Sequence, residues 1–190
     1  MVRHASTRSP TVLLAVLVAA LWVVLAPTAA RADTASFRDA RGDTRSPADV
    51  VRVTVVHSDR VVVRVHHRNL TFRTGRAPES VRVVYAVPGH SPGPDFVLKV
   101  VYQSDGAWQL RTAGDWDDPA GPVVPGCTGE RASVSAARDL TRVSIPRSCL
   151  GDPGRVRVQV RITVRPEDVG RADAAPGTHR LGPWVGWSAT

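Results

Sequence analysis

Residues 155–165 read RVRVQVRITVR, with Val or Ile at every even position from 156 to 164 and a polar residue at every odd one. A period of two sustained this long marks a strand with one face in a core and the other in water. A helix would scatter the same residues around its axis. The device recurs upstream. In 50–56 (VVRVTVV) Val51, Val53 and Val55 share one face while Arg52 and Thr54 take the other, and in 60–68 Val61, Val63 and Val65 oppose Arg64 and His66. Further runs lie at 81–87, 95–103, 107–112, 131–136 and 140–145. Valine dominates them, and its stiff branched Cβ suits a pleated surface. Turn chemistry separates the runs: Ser58-Asp59, the Pro- and Gly-rich stretch 88–94, Ser104-Asp105-Gly106, and Gly151-Asp152-Pro153-Gly154. Asp105-Gly106 reads as a hairpin turn. The expected fold is all-β, an antiparallel β-sandwich of jelly-roll or Ig-like type with about eight strands.

The first residues read differently. Arg3, His4 and Arg8 form a positive head, residues 12–26 are a continuous apolar run that Pro27 ends, and Ala30-Arg31-Ala32 places small residues where a signal peptidase reads. Fifteen residues at 1.5 Å each fall short of a hydrocarbon core of ~30 Å, which sets a retained membrane anchor behind a cleaved signal. The layout predicts a secretory signal peptide over 1–32, cleaved after Ala32, and a single sandwich domain over 33–190. It predicts a secreted, extracellular protein with no membrane span after cleavage.

Composition bounds the function. At 43% hydrophobic residues the chain is too apolar for disorder. Of 25 basic residues, Lys99 alone is Lys, and removing 1–32 takes three basic and no acidic residues, which lowers the net charge from +8 to +5. The arginines are spread along the chain, so no nucleic-acid partner is expected. Arg155, Arg157, Arg161 and Arg165, joined by Arg52 and Arg64, could form one basic sheet face for an acidic polymer or anionic lipid. A solvated face in an Arg-rich chain reads the same way, since strand charges also discourage edge aggregation.

Cys127 precedes the run at 131–136 and Cys149 follows that at 140–145. If those runs pair through a turn around Ala137-Arg138-Asp139, the cysteines meet at the hairpin's open end, and export favours a Cys127–Cys149 disulfide. Their separation is too wide for a Cys-x-x-Cys redox pair.

The acidic residues carry the chemical lead. Asp39, Asp43 and Asp49 surround Gly42 before the first strong strand, and Asp173 joins them if the two chain ends meet at one sandwich edge. Carboxylates and turn carbonyls are what calcium needs, although the spacing is not that of an EF-hand. Aspartates that bond their own turns give the same pattern. Asp115, Trp116 and Asp117 set an aromatic ring between carboxylates, a platform for a pyranose with acids for its hydroxyls, or else a loop whose Trp caps the core. Trp184 and Trp187 fall on opposite faces of an ideal strand, one expected inside and one outside. Catalytic motifs are missing: there is no Gly-x-Ser-x-Gly or His-Glu-x-x-His. His66 and His67 point to opposite faces of one strand and cannot chelate together.

The order of Asp39-x-x-Gly42-Asp43, Asp49, Pro94-Asp95-Phe96, Cys127 and Ile145-Pro146-Arg147-Ser148-Cys149 resembles uncharacterised secreted β-sandwich proteins of actinobacteria. It is similar, more distantly, to DOMON-type and family 9 carbohydrate-binding sandwiches, over most of 37–165. The resemblance implies a jelly-roll-like sandwich, calcium near the chain start and a ligand-binding role. DOMON modules that hold haem use Met or His ligands, and the one Met here is Met1. The expectation is a secreted or envelope-associated binding module that is not an enzyme, with a carbohydrate or cell-surface polymer as ligand and no cofactor beyond calcium. A protein-interaction module (an inhibitor or scaffold) and a hydrolase of unseen site are the alternatives.

Overall fold

The computed structural model describes residues 33–43, 48–72, 78–89, 93–102, 107–116, 121–164 and 172–189. The expected signal peptide (1–32), the Asp105-Gly106 turn, Asp117 and Arg165 lie outside the described residues. Each of the eight expected runs is a strand: β2 (Asp49–His57), β3 (Arg60–Arg68), β4 (Ser80–Ala86), β5 (Phe96–Val101), β6 (Trp108–Thr112), β7 (Arg131–Ser135), β8 (Leu140–Pro146) and β9 (Arg155–Thr163). Three further strands are β1 (Asp33–Arg38), β10 (Asp173–Ala175) and β11 (Val185–Gly186).

The strands form two antiparallel sheets, one ordered β1-β2-β3-β8-β7 and the other β10-β9-β4-β5-β6, with β11 also on β9. Inward valines build the core between them. Val53, Val55, Val61, Val63 and Val65 from the first sheet join Val81, Val83, Leu98, Val158, Val160 and Ile162 from the second, all at 0–1% exposure. The alternation read along β3 and β9 therefore marks the core-facing residues of the fold, although Gln159, at an outward position of β9, is itself buried and donates from Nε2 to the Gly177 carbonyl.

Strand β2 departs from that reading. Its register with β3 shifts between Val50 and Arg52, so Val51 is the extra residue of a β-bulge. Val50 is fully buried, whereas Val51, expected in the core, is only half-buried. A bulge inserts one residue and reverses the facing of everything beyond it, which is how Asp49 leaves the core-facing set.

The last described segment seals an edge. Ala175 pairs with Val160 and Val185 with Val156, while Gly182 N–H and Trp187 N–H donate to the Val158 and Gly154 carbonyls. Residues 173–187 thus run along the outer side of β9. They also meet β1: Gly186 N–H donates to Asp33 Oδ2 at 2.7 Å, and a Cβ on Gly182 would sit 2.4 Å from Phe37 Cε1. Only glycine permits that approach.

Strands β7 and β8 form the expected hairpin, turning through residues 136–139. Cys127 and Cys149 are joined, with Cα atoms 5.1 Å apart. Closing a loop of this length stabilises the fold by about 3 kcal/mol in the chain-entropy model.

Candidate functional site

The bulge in β2 lies beside a group of four carboxylates. Asp39 leaves the end of β1, Asp43 and Gly42 form the turn after it, Asp49 opens β2, and Asp173 opens β10 on the other sheet. Oxygens of Asp39, Asp43 and Asp173 lie within 4.8 Å of one another. Asp173 is nearly buried. Its Oδ2 accepts Val50 N–H at 2.6 Å across the seam between the sheets, and its Oδ1 accepts Ala174 N–H at 2.8 Å. Asp49 is 3% exposed; Oδ2 accepts Gly42 N–H at 2.8 Å, while Oδ1 has no hydrogen-bond partner and the carboxylate faces that of Asp43. Asp39 Oδ2 is also buried without a partner. Sequence reading proposed these four residues as one set; the fold brings Asp39, Asp43 and Asp173 into one close group, because residue 173 returns along the β1–β2 side, and leaves Asp49 beside Asp43 and Gly42 at its border.

The electrostatics are those of a crowded anionic site. Burial, then the charges of Asp173 and Asp43, push the Asp39 carboxyl up to about 6. Asp49 is raised by burial, opposed by the Gly42 N–H and by Arg68. Asp173 is raised by burial despite its two backbone N–H donors. The Arg68 guanidinium passes close over Gly42, where a Cβ would sit 2.6 Å from Nη1, and Gly42 has φ +74°. One guanidinium among four carboxylates leaves an excess of negative charge, and two buried oxygens that accept nothing are what a hard cation would satisfy.

The second expected site is only partly described. Trp116 is half-buried and stacks on His179 with ring centroids 5.4 Å apart, and its carbonyl accepts Arg161 Nη1 at 2.6 Å. Asp115 is exposed. The ring therefore already carries one partner. Trp184 and Trp187 are 39% and 40% exposed, so neither is the buried member that strand parity predicts. Strand β11 is only Val185–Gly186, and both rings lie under guanidinium groups, Arg155 over Trp184 and Arg147 over Trp187 at 4.5 and 4.3 Å. His67 is buried between the Ala48 carbonyl and Thr141 Oγ1, and His66 faces outward, as the alternation requires.

The expected single basic face divides in two. Arg52 and Arg64 lie on the outer side of the five-stranded sheet, with Arg38 paired to Arg52 and Arg142 to Arg64. Arg155, Arg157 and Arg161 lie on β9 in the other sheet. Alternation assigns a face within a strand but not which sheet a strand joins. Trp108, read from sequence only as part of a strand, is 39% exposed and lines a hollow on the six-stranded sheet. No protein-family model matches the chain, and no curated protein matches it.

Proposed function

We propose that the protein is an exported, non-catalytic β-sandwich module that binds calcium at the seam between its sheets and presents a sheet surface to a cell-surface polysaccharide. The observation that supports this reading is the meeting of Asp39, Asp43 and Asp173, drawn from both sheets, with Asp49 beside Asp43 and with buried oxygens of Asp39 and Asp49 that have no hydrogen-bond partner. Calcium takes six to eight oxygens, and carboxylates flanked by turn carbonyls suit it better than a softer metal that prefers imidazole or thiolate. Export agrees with the disulfide. Among the described residues no helix is long and apolar enough to cross a membrane.

Calorimetric titration with calcium tests the metal directly. One ion per chain is expected, with binding abolished in Asp43→Asn and unchanged in Asp152→Asn, a carboxylate at the far end of the sandwich. Absence of binding heat across a range of temperatures would remove the metal from this reading.

A further inference from the structure

We propose that the outer face of the five-stranded sheet binds a linear acidic polysaccharide along a diagonal stripe of arginines, one from each strand: Arg38, Arg52, Arg64, Arg142 and Arg131. The inference rests on the reading of a polysaccharide-binding module and names the face it uses and the charge of its ligand.

Strand register sets the stripe. Arg38 of β1 is directly opposite Arg52 of β2, and Arg64 of β3 is directly opposite Arg142 of β8. Arg64 also pairs with Thr54, two residues on from Arg52, and Arg131 of β7 pairs with Ser144, two residues on from Arg142. Directly opposed residues, and residues two apart on one strand, share a face. The five side chains therefore step down across the whole sheet, about 24 Å from end to end at the usual strand spacing and rise. Side-chain contacts agree with the register: Ser36 Oγ donates to Thr54 Oγ1 at 2.9 Å, and Arg60 Nε donates to Ser144 Oγ at 2.7 Å. Val53, Val63, Val65 and Val143, which adjoin these arginines in sequence, are fully buried on the other face.

The protein does not balance this charge. Arg38, Arg52, Arg131 and Arg142 are exposed and Arg64 is half-buried. Among the described residues none of the five forms an ion pair, and the paired outward positions of β1, β2, β3, β8 and β7 include no Asp or Glu. Like charges set directly opposite one another destabilise a sheet. Two such pairs stand here, Arg38 with Arg52 and Arg64 with Arg142. Their neighbours feel the field: Arg52 and Arg64 add to burial in lowering the His66 imidazole, and Arg131 and Arg142 add to burial in lowering Arg60. An anionic chain laid along the stripe relieves that repulsion.

The face also selects the kind of anion. The exposed large apolar residues are Phe72, Trp108, Val123, Trp184 and Trp187, and none belongs to these five strands. Single-stranded nucleic acid needs rings on which its bases stack, and a bilayer surface takes up protruding apolar side chains, so both are poorer matches. Hydroxyls stand beside the guanidinium groups instead. Ser36, Thr54 and Ser133 share the row of Arg64 and Arg142. Hydroxyls suit sugar hydroxyls, and a guanidinium gives a carboxylate two parallel hydrogen bonds. A linear polysaccharide with carboxylates along its length meets both.

The test is affinity electrophoresis of the purified protein in gels containing polygalacturonate, its methyl ester or plain dextran. Chelator keeps calcium from bridging the polymer, and near-physiological salt screens diffuse charge association. Retardation by polygalacturonate alone is expected. Arg52→Gln and Arg142→Gln should each weaken it about two- to fivefold, the size of one exposed ion pair, and the double variant by about the product of the two. Lys99→Gln, which removes the same charge from the other sheet, should leave it unchanged. Each arginine variant relieves a like-charge pair, so its unfolding midpoint should equal or exceed that of wild type, which separates lost binding from lost fold. An equal effect of Lys99→Gln, equal retardation by the methyl ester, or tighter capture by single-stranded DNA or phosphatidylglycerol vesicles would each overturn the assignment. Retardation by plain dextran that both arginine variants leave intact would overturn the acidic ligand and keep the polysaccharide-binding module, whereas no retardation by any polymer would overturn both.

Discussion

Without a cation, the four carboxylates should make the protein less stable than a variant lacking one of them. Asp39 is the residue to change. Its carboxyl is pushed from 3.8 up to about 6, a displacement worth about 3 kcal/mol at face value and about 1–2 kcal/mol once water screening of this part-buried group is allowed for. In Asp39→Asn the amide removes the charge and offers a donor to the neighbouring oxygens. At about 2–4 °C per kcal/mol for a chain of this size, its unfolding midpoint in chelator should lie roughly 2–8 °C above wild type. Calcium should reverse the order. Extracellular calcium modules bind in the 10⁻⁴–10⁻³ M range, so ~10 mM calcium is about 10–100 times Kd and stabilises wild type by about 1.4–2.7 kcal/mol. The wild-type midpoint then rises by about 3–10 °C, while that of Asp39→Asn stays where it was. Scanning fluorimetry of both proteins, with calcium and with chelator, reads all four values. A wild-type midpoint indifferent to calcium, or a calcium shift that survives in both Asp39→Asn and Asp43→Asn, would refute the reasoning.

Reduction of Cys127–Cys149, or the double change to Ser, should cost about 3 kcal/mol and lower the midpoint by about 6–12 °C, and a midpoint unmoved by reductant would show the bond to be dispensable. The β2 bulge predicts that Val53→Thr, which buries a hydroxyl at 0% exposure, costs about 1–3 kcal/mol, while Val51→Thr costs under about 0.5. Equal costs in urea unfolding would return Val51 to the core. Acidification separates two opposing terms. His67 is lowered to about 4 by burial, so the neutral ring's stabilisation is complete above pH 6.5 and is lost as pH falls towards 4; His57 and His66 are lowered in the same direction by burial. Asp39, raised to about 6, binds its proton more tightly when folded and so adds stability as pH falls from 6 towards 4. Calcium holds that carboxylate ionised and removes the offset. Midpoints between pH 6.5 and 4 should therefore fall more steeply in calcium than in chelator, and parallel curves would contradict this.

What could be seen in the sequence depended on how local its cause was. Strands β2 to β9 were legible because burial of one face writes itself into alternating residues, as in Val156, Val158, Val160 and Ile162. Strands β10 and β11 span three and two residues, too few for any period, and they exist because β9 has a free edge to pair with. Strand β1 alternates Ala35 and Phe37 against Ser36 and Arg38, but small and polar residues dilute the pattern. The bulge at Val51 was invisible for a related reason: in VVRVTVV three valines face the core either as Val51, Val53 and Val55 without a bulge or as Val50, Val53 and Val55 with one, and only pairing with His66 and His67 chooses between them. The disulfide followed from a local hairpin. The carboxylate set required a tertiary event, the return of Asp173, yet hard oxygens around Gly42 pointed to it. Trp108 gave no signal, since a lone Trp in AWQLRT looks like any strand aromatic, and the hollow it lines is shared with Arg82 and Lys99 from two other strands.

The placement of the two cross-links gives the metal site its physical sense. Arg60 pairs with Pro146, three residues before Cys149, while Arg68 at the opposite end of β3 pairs with Asp49. Those ends are about 27 Å apart at the rise of an antiparallel strand. The disulfide ties the crossing from β6 to β7 to the segment after β8 at one end. At the other end the seam holds through the Val50–Asp173 hydrogen bond and the three-residue edge strand β10. Short edges resist aggregation but fray readily. A cation shared by Asp39 and Asp43 on the β1 side and Asp173 of the other sheet would cross-link that weaker end, and with it β9, to which β10 is paired. Calcium withdrawal should therefore speed amide exchange in β10 and in the paired residues 160–162 of β9 while leaving Arg131, Ser144 and Ile145, at the end nearer the disulfide, unchanged. A uniform acceleration through both ends would show that the ion stabilises the sandwich as a whole and not its seam.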